Sequence, residues 1–161
     1  MAYNTQRWDM VVYTDGACLN NGKSWASGGV GVYFGSNDFR NYSGPLMGSM
    51  QTNQRAELDA IRQALLLASD STRSYSHRPS VLICSDSQYS INCVTQWYKK
   101  WHRNGWLNSA GRPVVNCDLI QDILVLIQTG GCNVQFQHVP GHSNIAGNVA
   151  AHNLASAGAR S

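Results

Sequence analysis

The apolar and polar positions fall into short strand-like runs followed by helical stripes. Val11-Val12-Tyr13-Thr14-Asp15-Gly16-Ala17-Cys18 is β-branched and aromatic, then reaches an aspartate and a glycine. This predicts a strand that presents a carboxylate near its C-terminal end. Asp-Gly is also a common turn pair, so the meaning of Asp15 depends on which residues join it. A polar loop over 19–27 follows. Gly28 to Phe34 reads as a strand whose glycines permit close backbone approach. Arg40 to Gly44 reads as a polar edge strand, and the short links between the three suggest an antiparallel meander. From Gln51 to Ala68 the spacing of Leu58, Ile61, Leu65 and Ala68 predicts a long helix. Glu57 precedes Ile61, Ala64 and Ala68 by 4, 7 and 11 residues, so it borders the inward stripe. An acid there is costly unless it is paired, metal-bound or able to reach solvent.

The second half repeats the theme. Val81-Leu82-Ile83-Cys84 is fully apolar, as in a buried parallel strand, and runs into Ser85-Asp86-Ser87. Asp86 either caps the next helix or joins Asp15 and Glu57 in a carboxylate cluster. Residues 88–102 read as helix, in one piece or two, with Trp97 and Trp101 on a shared face. A loop through Asn104-Gly105-Trp106 to Arg112-Pro113 leads to a helix over 118–128, capped by Asn116 or Asp118, with Leu119, Ile120, Ile123, Leu124 and Ile127 inward. Residues 133–139 alternate as a last strand. Pro140 to Asn144 form a loop, and residues 145–159 form a small-residue helix with Asn144 as a candidate cap. The order βββαβααβα predicts an α/β fold: one five-stranded mixed sheet, its first three strands antiparallel, flanked by helices. No repeat or composition shift divides the chain, so residues 1–161 read as a single domain, with 1–8 as a flexible N-terminal segment.

Composition narrows the function classes. With 161 residues, 43% hydrophobic and 13% charged, the chain can bury a real core. The net charge of +3 is unevenly distributed: Lys99, Lys100, Arg103 and Arg112 lie between Ser87 and Cys117 with no acid among them. A local basic patch interleaved with tryptophans suits a polyanion, with rings for sugars or bases and cations for phosphates. Five scattered cysteines with no C-x-x-C spacing suggest neither a disulfide framework nor a zinc site, and reduced thiols point to an intracellular protein. The polar N-terminus does not read as a signal peptide, and no apolar run approaches membrane-spanning length. No membrane partner is expected, and a monomer is.

Thr14-Asp15-Gly16, the Gln51-Thr52-Asn53-Gln54-Arg55-Ala56-Glu57 run, Ser85-Asp86-Ser87, the Trp97-to-Trp106 segment and Val139-Pro140-Gly141-His142 occur in this order on the βββαβ frame. Together they resemble the catalytic domain of type 1 ribonuclease H, the eukaryotic kind in particular, over nearly the whole chain. The resemblance implies hydrolysis of the RNA strand of RNA–DNA hybrids with two divalent cations, normally Mg2+. It implies Asp15 as the carboxylate shared by both, Glu57 and Asp86 as further ligands, and His142 in proton handling and product release. Asn21, Asn53 and Gln54 match residues that reach the hybrid's minor groove, and Cys18 a position near the RNA strand. Thr52 and Asn116 match a pocket for a DNA phosphate, and Trp97, Trp101 and Ser109 a channel for the DNA strand.

Two departures stand out. In the family pattern Gly-Asn-x-x-Ala-Asp, the final aspartate is the fourth metal carboxylate. Here the run is Gly147-Asn148-Val149-Ala150-Ala151-His152. Histidine ligates manganese readily and magnesium poorly, so an active enzyme with an altered metal site is expected, relatively better with Mn2+ and with activity rising with pH. The competing readings are a hybrid-binding module without catalysis and the ribonuclease H domain of a retroelement polyprotein. Met50 stands where eukaryotic members often carry an arginine in the phosphate pocket. Val149 stands where an acid is common.

Overall fold

The computed structural model describes residues 7–161. The expected flexible segment 1–8 therefore lies outside the described residues over 1–6.

The sheet grows in both directions from β1 (Met10–Leu19). On one side β1 pairs antiparallel with β2 (Ser27–Tyr33), which pairs antiparallel with β3 (Tyr42–Pro45). On the other side β1 pairs parallel with β4 (Ser80–Ser85), and β4 pairs parallel with β5 (Asn133–His138). The order β3-β2-β1-β4-β5 is the mixed sheet that the pattern predicts. The register sets the site. Thr14 lies beside Ser85, so Asp15 within β1 and Asp86 just past the end of β4 sit at the same level of the sheet. Strand β1 runs on to Leu19 in its pairing with β2, so Asp15 lies inside the strand rather than near its C-terminal end as its pattern suggests.

One face of the sheet is covered by α1 (Asn53–Asp70) and α4 (Cys117–Thr129). Val12, Val32 and Ile83 from the strands pack there with Leu58, Ile61, Ile120 and Ile123 in the main core. At about 25 cal/mol per Å2 of apolar surface removed from water, this burial is the chief driving force for the fold. The other face receives α5 (Ala146–Ala159). Ala151, Ala155 and Ala159 recur every four residues and are buried against β2. A Cβ on Gly31 would lie 2.2 Å from the Ala151 carbonyl oxygen, so the strand glycines are what let this helix settle on the sheet.

The third strand begins at Tyr42 rather than Arg40. Asn41 accepts a hydrogen bond from Phe34 N–H and donates to the Gly35 carbonyl, and Arg40 pairs with Asp38, so these residues close a turn instead. Helix α1 starts two residues later than its apolar pattern suggests, because Thr52 caps it by accepting from Arg55 N–H. The tryptophan segment forms one helical path from α2 (Gln88–Asn92) through a π-helical turn (Cys93–Trp97) into α3 (Tyr98–Asn104). Asn116 occupies the cap position of α4 without a side-chain cap bond. Ile145, not Asn144, precedes α5, also without one.

Candidate functional site

Strand β1 carries side chains alternately to the two faces. Gly16 turns toward α1 and Asp15 toward α5. A Cβ on Gly16 would stand 2.3 Å from the Glu57 nitrogen, so its absence lets the first turns of α1 lie against the strand. Glu57, though an acid, is thereby buried at 6% exposure beside Asp15, which is 3% exposed. Asp86 arrives from the end of β4. It does not cap α2; Ser87 does, accepting from Ser90 N–H. One carboxylate oxygen from each of Asp15, Glu57 and Asp86 lies within 4.8 Å of the others.

Three carboxylates so close disfavour their own ionised forms. Burial, then Asp15 and Asp86, push Glu57 well above the usual carboxylate range. Burial and Asp15 also raise Asp86, while His152 and His138 oppose the rise. Glu57 Oε2 is buried with no hydrogen-bond partner. Divalent cations satisfy both conditions at once: they supply the missing partner and neutralise the cluster, and oxygen donors suit magnesium or manganese. The residues therefore fit the cations that the sequence implies.

His152 meets Asp15 from α5, with Nδ1 2.9 Å from Oδ2. A carboxylate oxygen accepts, so Nδ1 carries the proton of this bond. The second Asp15 oxygen accepts from Gly16 N–H at 3.0 Å. His142 lies in the loop after β5 with a positive φ of 54°. Together with Asp86, Ser143, Asn148, Val149 and His152 it lines a cleft of about 280 Å3. The five residues expected to carry the chemistry thus meet at one end of the sheet, with His152 as a partner of Asp15 beside the three-acid cluster.

The positions expected to meet nucleic acid lie on and after β1, at the start of α1, along the tryptophan segment and before α4. Cys18 Sγ lies 3.6 Å from the Gln51 carbonyl oxygen. Asn21 accepts from Asn53 N–H at 3.3 Å, tying the β1–β2 loop to the start of α1, and Gln54 is exposed beside them. Thr52 and Asn116 are bridged by Arg55, whose N–H bonds to Thr52 and whose guanidinium bonds to Asn116. Trp97 is 41% exposed and packs edge-on to Trp101 with centroids 6.1 Å apart. Lys99, Lys100 and Arg103 are exposed around them, whereas Ser109 lies in the exposed loop before α4. Met50 is exposed and brings no charge to the Thr52 end.

Sequence reasoning passed over Arg55 and Tyr89. Arg55 lies inside the Gln51–Glu57 run, and its spacing from Asp118 gives no sign of their bidentate pair at 2.9 and 2.5 Å. Tyr89 reads as an ordinary aromatic in a short helix. All five cysteines are free thiols. Among the described residues no helix is long and apolar enough to cross a membrane.

Comparison with known proteins gives a consistent result. The family model described as RNase H matches residues 7–160. A ribonuclease H of Schizosaccharomyces pombe is 45% identical over 149 residues, covering 92% of this chain and 52% of that protein. One from Neisseria gonorrhoeae is 38% identical over 152 residues, covering 93% of this chain and 94% of that protein. The chain thus spans about half the length of its curated eukaryotic relatives. Among solved structures, LC9-RNase H1, "a type 1 RNase H with the type 2 active-site motif", superposes with a TM-score of 0.70 at 26% identity, covering 94% of this chain and 72% of that one.

Proposed function

Because the chain belongs to the type 1 ribonuclease H family, we propose that it is an endonuclease hydrolysing the RNA strand of RNA–DNA hybrids. The observation that carries this reading is the cluster of Asp15, Glu57 and Asp86 around an unpartnered buried carboxylate oxygen. These three residues would hold two divalent cations, which when bound supply an activated water and a stabilised leaving oxygen.

The chain's own residues provide the rest. Asp15 holds the imidazole of His152 through Nδ1 at the edge of the cleft it lines, and Nε2 serves as the proton acceptor. As the water oxygen bonds to phosphorus, its proton passes to Nε2, and the phosphorus–oxygen bond to the departing strand breaks. His142, on its exposed loop, carries a proton to the departing oxygen and moves aside with the product. With His152 in place of a fourth carboxylate, the site holds less negative charge and would bind the weakly held Mg2+ less well than an all-carboxylate site, which makes it depend more on the tighter-binding Mn2+.

Substrate reading follows from the outer positions. Asn21, Asn53, Gln54 and Cys18 face the minor groove and the RNA strand, where 2′-hydroxyls distinguish RNA from DNA. Thr52 and Asn116 hold a DNA phosphate, while Trp97, Trp101 and Ser109 line the DNA strand's path. The test is cleavage of a labelled RNA–DNA hybrid beside double-stranded RNA and DNA, each with Mg2+ and Mn2+. Cutting confined to the RNA of the hybrid supports the reading. An uncut hybrid, or equal cutting of the controls, rejects it.

A further inference from the structure

Tyr89 touches both halves of the surface assigned above to the DNA strand. Asn116 sits in the left-handed region at φ 62°, and its side chain makes no cap bond to α4. Its amide is instead held at both ends. Oδ1 accepts from the Arg55 guanidinium at 3.3 Å, and Nδ2 donates to the Tyr89 hydroxyl at 3.4 Å. Both bonds are long, so neither fixes the amide alone. Arg55 is itself anchored by the bidentate pair with Asp118, which makes Tyr89 the other support.

The ring of the same tyrosine packs edge-on against Trp97, with centroids 6.1 Å apart and planes at 62°. Trp97 in turn packs on Trp101, and Trp101 on Trp106 at 6.0 Å. Trp97 closes the π-helical turn, a rare helical irregularity that is frequent at functional sites. The half-buried phenol is pushed up to about 12, so it remains a neutral hydroxyl across the working pH range.

We propose that Tyr89 is a positioning residue that couples Asn116 to Trp97, so that a DNA strand meets the phosphate pocket and the tryptophan face as one preset surface. This rests on the reading of Asn116 and Trp97 as DNA-strand contacts. Holding the two groups in place before binding lowers the ordering cost of association, which appears in KM rather than in the chemical step.

The variants are Tyr89→Phe, which keeps the ring and deletes the hydroxyl, and Asn116→Gly, which keeps the left-handed backbone and deletes the amide. In steady-state hybrid cleavage, Tyr89→Phe raises KM by about three- to tenfold, the worth of one hydrogen bond, with kcat unchanged. The double variant matches Asn116→Gly alone, because the hydroxyl acts through that amide. An unchanged KM in Tyr89→Phe, or effects that multiply in the double variant, overturns the inference and leaves the proposed activity standing. If the natural chain cuts no hybrid, the proposed activity fails instead. The coupling is then decided without substrate, by side-chain amide NMR of Asn116 and the indole resonance of Trp97. Both shift in Tyr89→Phe if the coupling exists; if neither moves, it does not.

Discussion

His152 Nδ1 and Asp15 Oδ2 are 2.9 Å apart, so the residue that replaces an expected carboxylate is bonded to the most buried acid of the cluster. Asp15 is held on its other oxygen by Gly16 N–H. The imidazole thus does more than fill a position: it bonds the central acid and lines the cleft beside it.

The cluster is strained by its own charge, which makes a direct prediction. Glu57→Gln removes a buried acid that Asp15 and Asp86 both disfavour. The metal-free variant should be more stable than the natural chain at neutral pH, by on the order of 1 kcal/mol. Urea unfolding in the presence of a chelator measures this. The melting-temperature rise that Mn2+ gives the natural chain should be largely lost in the variant.

Gly16→Ala tests how the site is mounted. The new Cβ would stand 2.3 Å from the Glu57 nitrogen and 2.4 Å from the Ala56 carbonyl carbon, both backbone atoms. Helix α1 must retreat, at a cost of about 1–3 kcal/mol. Glu57 retreats with it, so urea unfolding should show the destabilisation and Mn2+ should stabilise the variant less.

Restoring a cation at Met50 should tighten the grip on nucleic acid. In Met50→Arg the slope of log affinity for a hybrid against log salt should steepen by about one unit, with tighter binding at low salt. Fluorescence anisotropy across a salt series reads both. An unchanged slope would place position 50 away from the phosphates.

The Arg55–Asp118 pair gives a stability signature. The guanidinium holds the Asp118 carboxyl below the usual carboxylate range. A depressed carboxylate stabilises the fold above its unfolded pKa, and that contribution is lost as pH falls through the folded value. Asp118's side chain is 63% exposed, so screening limits the contribution to about 0.5 kcal/mol. Natural chain and Asp118→Asn should therefore differ by that amount in urea unfolding at neutral pH and converge as the medium becomes strongly acidic.

Much of this architecture was legible in the chain. Asp15 after a β-branched run, the strand-ending Asp86 and an inward-bordering Glu57 foretold the cluster, because hydrophobic period and turn chemistry are local signals, but the Asp-Gly pair concealed that β1 runs on to Leu19. Glycines in β2 foretold a close backbone approach, though not that α5 makes it. Interactions between distant residues were not legible. The Arg55–Asp118 pair, the Asn116 amide clamp and the Asp15–His152 bond join residues 63, 27 and 137 positions apart, respectively, in the Arg55, Tyr89 and His152 contacts. The π-helical turn escaped as well, because its one-residue offset leaves the apolar pattern on either side intact. Asn144 failed as a cap because the chain enters α5 through extended Ile145, a residue later.

The most direct measurement is the initial rate of hybrid cleavage by the natural chain and by His152→Asp, in Mg2+ and in Mn2+. The Asp15–His152 site predicts that the natural chain cuts the RNA strand, that its Mn2+-to-Mg2+ rate ratio exceeds that of His152→Asp, and that the substitution raises the Mg2+ rate. A natural chain inactive in both metals, or equal metal ratios in the two proteins, would contradict it.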